Sequence, residues 1–248
     1  MTRLRNLLLI VFSLFSFVIL WNVSSYFKLI PYFPGMPDVF GAILKNYKFL
    51  ASAAVVTTRR AMLGLSIGLL AGVTGALFLA WSSVANAVMD PYISLAKSTP
   101  SLALIPVFIL WFGLVETARI AFVAAACFFI VFVSAAEAIP NVPKVYQWSA
   151  STLGASKGDI YRSVVLASIF PHLFGGIRNA ATLSFAAAVA SEFIGAQDGL
   201  GYALIHFGIN YRMDKMIAVV AIITLLAAIA DQLINILRRT FLRWAEEK

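Results

Sequence analysis

The sequence has little charge and almost no cysteine or histidine. Asp, Glu, Lys and Arg make up 12% of its 248 residues and 61% are hydrophobic, whereas about a quarter of a soluble domain is charged. Its one cysteine, Cys127, excludes an intrachain disulfide and, in an apolar run, is typical of a small buried core residue. Most of the chain is therefore expected to lie in lipid, as a single all-α membrane domain over residues 1–248.

Motifs for nucleotide or hydrolytic chemistry are also missing. "GASKGD" lacks the spacing and the final Ser/Thr of a phosphate-binding loop. His172 and His206 are far apart, with no acidic or cysteine cluster beside them, so they predict packing or interfacial histidines and no metal site. No H-E-x-x-H or G-x-S-x-G occurs. An integral-membrane enzyme therefore has no support in the sequence, and no cofactor is expected in this chain.

The net charge is +8, and the basic residues gather at the ends of apolar runs and form no basic groove. Arg3 and Arg5 precede the first run, and Arg238, Arg239 and Arg243 follow the last, as basic residues do around membrane spans. This placement indicates a lipid bilayer as the partner and excludes nucleic acid. Residues 21–26 offer no small-x-small cleavage site, so the first run is interpreted as a retained span.

Six stretches are long and apolar enough to span a bilayer, which needs about 20 residues. The third is interrupted by Pro100 and Pro106. With both termini cytoplasmic, the inner segments carry somewhat more lysine and arginine than the outer ones, which the positive-inside rule favours. The predicted spans are 7–26, 61–81, 92–113, 118–138, 173–194 and 215–237. Residues 27–60 are predicted to form an outer loop with a surface helix over Val39–Leu50.

Acidic residues lie near span ends and not at mid-membrane, which argues against an ion-coupled carrier. For Glu192 we expect either a place on a solute path or a salt bridge with Arg212 or Lys215. In the second span, Gly64, Gly68 and Gly72 repeat every four residues and form one smooth helix face. That face is either a subunit contact or helix packing within one chain.

A polar insert separates the fourth and fifth spans. Pro140 and Pro143 end one helix, and an amphipathic helix restarts at Lys144. Gly154 allows a sharp turn, and Ser156 is a candidate cap for a second helix, with Asp159 three residues later. The pattern predicts a cytoplasmic helix–turn–helix hairpin over about 144–168 that either docks a protein partner or lies against lipid headgroups.

The insert resembles the "EAA" loop of binding-protein-dependent ABC importer permeases, with the pattern E-A-A-x-x-x-G-x9-I-x-L-P. Aligned on Gly154, the sequence matches the second alanine, the glycine and the leucine, and has Trp148 in place of the glutamate. The chain also resembles the nitrate/sulfonate/taurine branch over about residues 35–244. The segments that carry this likeness are "IPVFILWFGLVETARI", "LGAS", "FPHLFGGIR", "SEFIGAQDGLGY" and "RRTFLRW".

The resemblance implies a type I ABC importer permease, a non-catalytic, multi-pass subunit of the bacterial inner membrane. Its implied partners are a second permease copy, two ATP-binding subunits that carry ATP and Mg²⁺, and an extracytoplasmic binding protein that delivers a small anionic solute. The implied ATPase-docking residues lie at the hairpin tip: Ala150, Ser151, Leu153, Gly154, Ala155, Ser156, Lys157 and Asp159.

A solute path is predicted from polar residues within the spans. Its candidates are Ser98, Thr99 and Ser101 around Pro100, and Ser184, Ser191 and Glu192 on the fifth span. The alternative for these hydroxyls is hydrogen bonding between helices. At the level of the whole protein, the alternative is a small secondary carrier or channel in which the hairpin is a regulatory loop.

Overall fold

The computed structural model describes residues 2–28 and 32–241, and these form helices joined by short turns. The last residues of "RRTFLRW", including Arg243, lie outside the described part, as do the side chains of Arg3 and Arg5. The α-helices are α1 Thr2–Tyr26, α2 Met36–Lys45, α3 Tyr47–Trp81, α4 Ser83–Ser98, α5 Ile105–Phe112, α6 Glu116–Ala138, α7 Lys144–Thr152, α8 Lys157–Ile160, α9 Leu166–Glu192, α10 Leu200–Ile209 and α11 Met213–Phe241.

Four segments of the described chain are long and apolar enough to cross a membrane: 47–79, 116–141, 157–192 and 213–240. A fifth crossing is available if α4 and the segment Ser101–Phe112 count as one broken span, since they meet at 91°. The fourth and sixth predicted spans coincide with α6 and α11. The predicted first span falls on α1, and the total of six remains a prediction.

Three predicted boundaries are wrong. α3 begins at Tyr47, so residues 47–60 belong to the long helix, and the surface helix is α2, which ends before Asn46. The third predicted span, 92–113, begins too late, since α4 starts at Ser83. The predicted interruption at Pro100 is confirmed, because Pro100 is extended and cannot continue the helix. The fifth span begins before residue 173, because a π-helical turn, Tyr161–Val165, joins α8 to α9 and the helix runs through Pro171.

The core lies where α6 packs between α3 and α9. A Cβ at Gly64 would lie 2.5 Å from the side chain of Val123, and one at Gly68 would lie 2.5 Å from the carbonyl oxygen of Ala124. The predicted glycine face, continued by Gly72, thus packs against α6 of the same chain. Close approach of backbones maximises the van der Waals contact that holds helices together in lipid.

Cys127 lies in this core and is fully buried, with its thiol directed at the carbonyl oxygen of Ala180 on α9. This position agrees with the prediction of a small packing residue.

Candidate functional site

The predicted hairpin is formed by α7, a turn at Gly154, and α8. Gly154 has φ +83°, a left-handed conformation that glycine adopts without the steric cost of a Cβ. The amide of Ala155 donates to the carbonyl of Ala150 (3.1 Å) and the amide of Gly154 donates to that of Ser151 (3.0 Å). These two bonds are the Schellman pattern that ends a helix. The predicted sharp turn is confirmed.

The second arm starts at once with a capping box. The amide of Asp159 donates to Ser156 Oγ (3.3 Å), and the amide of Ser156 donates to Asp159 Oδ2 (3.2 Å). The predicted Ser156 cap is therefore confirmed. Only four residues separate the end of α7 at Thr152 from the start of α8 at Lys157, and the hydrogen bonds of the two caps define the geometry of the tip.

The tip presents apolar side chains that no described residue covers. Leu153 is 87% exposed and Trp148, in place of the family's glutamate, is 66% exposed. The other predicted docking residues are exposed or half-buried around them: Ala150, Ser151, Ala155, Lys157 and Asp159. Single exposed apolar residues are common on protein surfaces, so this exposure alone assigns no partner.

The hairpin is connected to the bundle through the π-turn. Tyr161 donates a hydrogen bond to the carbonyl of Leu77 near the end of α3, and its ring packs edge-on against Trp81 at 4.9 Å. The second arm of the hairpin is thus joined to α9, which continues from it, and to the end of α3.

The predicted path residues fall into two groups. Ser98 and Thr99 are exposed at the bend between α4 and α5, and Ser101 is half-buried there, whereas Ser184 and Ser191 are buried in α9. Four of these hydroxyls donate to a carbonyl three or four residues earlier in the chain: those of Ser98, Thr99, Ser184 and Ser191. They do not form the hydrogen bonds between helices that were the alternative to a path role. A path role for these residues stays a prediction.

Glu192 is paired with Arg60, and the expected salt bridge with Arg212 or Lys215 is wrong. Arg60 Nη1 donates to Glu192 Oε1 at 2.8 Å, and the two side chains are 2% and 0% exposed. Arg212 instead faces Asp214, and Lys215 donates to Asn46. The partner of Glu192 comes from α3, far away in sequence.

Arg60 gathers three carboxylates at the end of the bundle away from the hairpin. Its guanidinium donates to Glu116 at the start of α6 and to Asp198 in the loop after α9, each at 2.6 Å, in addition to Glu192. Arg59 also donates a hydrogen bond to Glu116, at 2.7 Å. We call Arg59, Arg60, Glu116, Glu192 and Asp198 the charge cluster.

The carboxylate of Glu192 also accepts uncharged hydrogen bonds. The hydroxyl of Thr57 donates to it at 2.9 Å and the amide of Gly201 at 2.7 Å, while Thr57 accepts a bond from the amide of Leu200. A buried carboxylate is tolerated only when its lone pairs are satisfied in this way.

Two glycines of "SEFIGAQDGLGY" make room for this carboxylate. A Cβ at Gly199, where φ is +96°, would lie 2.4 Å from the carboxylate carbon of Glu192. A Cβ at Gly201 would lie 2.4 Å from the carbonyl oxygen of Val189. The motif is therefore a loop that closes over Glu192. Arg60 was not among the predicted site residues, and its one local signal is the pair of adjacent arginines that precedes the apolar run.

This geometry defines a helical membrane protein with an exposed helix–turn–helix hairpin at one end of its bundle. Two solved transporters share the fold. A methionine ABC transporter, MetNI, in an inward-facing conformation aligns with a TM-score of 0.67 and 16% identity over 79% of this chain and 97% of that one. An amino acid ABC transporter aligns with a TM-score of 0.64 and 21% identity over 81% and 98%.

Sequence relatives lead to the same class. The taurine transport system permease protein TauC of Escherichia coli (strain K12) is 30% identical over 188 residues, 76% of this chain and 68% of that protein. A second relative from the same organism is named "Putative aliphatic sulfonates transport permease protein SsuC". It is 27% identical over 84% of this chain and 81% of its own length.

The family of binding-protein-dependent transport system inner membrane components matches residues 64–243. The chain belongs to this family. It is a multi-pass inner-membrane permease subunit of an ABC importer, and it is non-catalytic, since separate partner subunits hydrolyse ATP.

Proposed function

We propose that the hairpin formed by α7 and α8 is the surface by which the ATP-binding subunits drive this permease. The observation that carries the proposal is Leu153, 87% exposed at a tip whose backbone is held by a Schellman motif on one side and a capping box on the other. Burial of one leucine side chain stabilises a contact by about 1.5–3 kcal/mol. A rigid tip loses little conformational entropy when a partner binds it.

The helical continuity from Lys157 to Glu192 supports a mechanical role. Force applied at the tip acts on α9 without an intervening flexible loop, and the bond from Tyr161 to Leu77 carries it to α3. Closure of the ATP-binding subunits would then tilt both helices and change the access to the solute path.

The remainder of the assembly is proposed from the family. Two copies of this chain, each a single membrane domain with both termini in the cytoplasm, would form the membrane part, with two ATP-binding subunits that hold ATP and Mg²⁺. An extracytoplasmic binding protein would deliver the solute. We propose a small organic acid as that solute, supported by relatives named for taurine and aliphatic sulfonates.

Substitutions at the tip test the docking. Leu153→Asp, and Gly154→Trp or Gly154→Glu, should abolish transport and co-purification of the ATP-binding subunits, with membrane insertion unchanged. Tyr146→Ser is the matched control, since Tyr146 is exposed on the same hairpin near its base and should retain the partner. Gly154→Asn is a second control, because asparagine tolerates the left-handed conformation.

Normal retention of the ATP-binding subunits by Leu153→Asp would overturn the docking proposal. Uptake that continues without ATP or without those subunits would favour a channel or a secondary carrier with a regulatory loop.

A further inference from the structure

Arg119, near the start of α6, is a buried cation without a counter-ion. The residue is 8% exposed, and its Nε atom is buried with no hydrogen-bond partner. Within residues 2–28 and 32–241, which the structure describes, its guanidinium donates no hydrogen bond and forms no ion pair. A guanidinium has five N–H donors and stays charged in a protein. Its burial is therefore strongly unfavourable unless an anion is present.

The carboxylates at this end of the bundle are already bound to other arginines. Glu116, three residues before Arg119, accepts hydrogen bonds from Arg59 and Arg60. The other two carboxylates of the charge cluster accept bonds from Arg60 as well. The cluster thus uses its carboxylates on its own two arginines, and none of them bonds to Arg119.

The start of α6 adds backbone donors of the same sign. The amides in the first turn of a helix have no acceptor within the helix, and the cap residue here is Val115, whose side chain accepts no hydrogen bond. Arg119 is the fourth residue of α6, and helical side chains lean toward the N-terminus of their helix. Its guanidinium is therefore directed toward this turn, whose partial positive charge favours an anion.

The start of α6 is accessible from the end of the bundle away from the hairpin. In the loop that precedes α6, Leu114 is 57% exposed and Val115 is 48% exposed. A Cβ at Gly113 would meet no atom within 4 Å, so the space beside this residue is open. An anion that reaches Arg119 from here must be small, because the arginine side chain is almost wholly enclosed.

We propose that Arg119 and the first turn of α6 form a binding site for a small anion. The guanidinium supplies a charge and a planar set of donors, and the amides of the turn supply further donors, so chloride, nitrate, a carboxylate or a sulfonate fits this chemistry. The anion is either an inorganic ion or the acid group of an organic solute. The site lies at the opposite end of the bundle from the hairpin, so the inference does not depend on the docking proposal.

Thermal unfolding of the complete chain in detergent tests the site. The ionic strength is held constant, with gluconate, whose long hydroxylated chain does not fit a buried site, as the reference anion. Replacement of gluconate by a small anion, at about ten times its dissociation constant, should raise the melting temperature by about 3–6 °C. The probes are chloride, nitrate, acetate and methanesulfonate.

Substitutions of Arg119 assign the effect to this residue. Arg119→Gln should melt in gluconate at or above the parent temperature, because no unpaired buried charge remains, and it should lose the shift caused by small anions. Arg119→Lys keeps the charge and loses the planar set of donors, so the anion concentration that gives half of the shift should rise severalfold. Arg212→Gln, which removes an exposed arginine, is the matched control and should shift as the parent does.

The same titrations distinguish the two sources of the anion. A shift with chloride that equals or exceeds the shift with acetate and methanesulfonate supports an inorganic ion. A larger shift with either organic acid supports the acid group of a solute.

Two results would overturn the inference. One is a parent protein whose melting temperature is the same in gluconate and in all four probes, a result that needs no variant to fold. The other is an equal half-shift concentration for the parent, Arg119→Gln and Arg119→Lys. The docking proposal is decided separately, by retention of the ATP-binding subunits in the Leu153→Asp variant.

Discussion

Arg60 and Glu192 form an ion pair of 2.8 Å in which both side chains are shielded from solvent. The pair joins α3 to the end of α9, and Glu116 and Asp198 extend it to α6 and to the loop before α10. One guanidinium therefore joins three parts of the chain that are distant in sequence: α3, the start of α6, and the end of α9 with the loop that follows it.

Removal of Arg60 should strongly destabilise the fold. Arg60→Gln leaves Glu192 buried without its cation, and breaking a buried pair in this way costs about 3–5 kcal/mol. Unfolding of the purified protein in detergent, followed by circular dichroism, measures the change. The double variant Arg60→Gln/Glu192→Gln should recover part of the loss, because no unpaired buried charge remains.

A surface pair supplies the control. Arg212→Gln removes a longer contact of 3.4 Å with Asp214 in which the arginine is 54% exposed, and it should change stability by less than about 1 kcal/mol. An equal effect of Arg60→Gln and Arg212→Gln would show that the charge cluster contributes no more than an ordinary surface pair.

Gly199→Ala should destabilise the same end of the bundle. The new methyl group would overlap the carboxylate of Glu192, and the φ of +96° is unfavourable for any residue with a Cβ. Gly41→Ala in α2 should be neutral or stabilising by up to about 1 kcal/mol, because its Cβ meets nothing and alanine favours a helix. Thermal unfolding of the two variants side by side distinguishes the roles, and a neutral Gly199→Ala would contradict the packing described for this loop.

Gly68→Leu should separate α3 from α6. Its first side-chain atom alone would lie 2.5 Å from the carbonyl oxygen of Ala124 and 2.9 Å from the amide nitrogen of Phe128, and these backbone atoms of α6 leave no room to repack. Ser66→Leu, exposed on the same helix two residues earlier, is the matched control and should be tolerated. The yield of folded, monodisperse protein in detergent is compared for the two variants. A normal yield of Gly68→Leu would contradict the prediction.

Arg178 and Asp231 form a two-bond pair that joins α9 to α11, with contacts of 2.5 and 2.8 Å. Arg178→Asp should lower the melting temperature, because two carboxylates then face each other. The exchange Arg178→Asp/Asp231→Arg should restore much of it, since the opposite charges are paired again. A double variant no more stable than the single one would show that the pair does not act through charge.

Local patterns were sufficient for several elements. The turn at Gly154 and the cap at Ser156 depend on backbone conformation and neighbouring hydrogen bonds, which a few consecutive residues specify. The boundaries of α6 and the glycine face of α3 follow from hydropathy and from a four-residue repeat. The docking and path roles of these residues remain predictions.

Other boundaries depend on distant partners. Thr57, Arg59 and Arg60 interrupt the apolar pattern, so the predicted span began after them, although α3 continues through all three. Their polar groups are satisfied by Glu116, Glu192 and the loop at residues 198–200, which no local pattern reveals.

By itself, the sequence determined that this chain is a helical membrane protein with a polar hairpin, because apolar length, glycine spacing and capping residues are local properties. Only the tertiary structure decided which charges pair, which face the glycines contact, and that the hairpin continues into α9 as one helical segment. These features depend on the desolvation of groups brought together from distant parts of the chain, and that cost is offset only once the helices have packed.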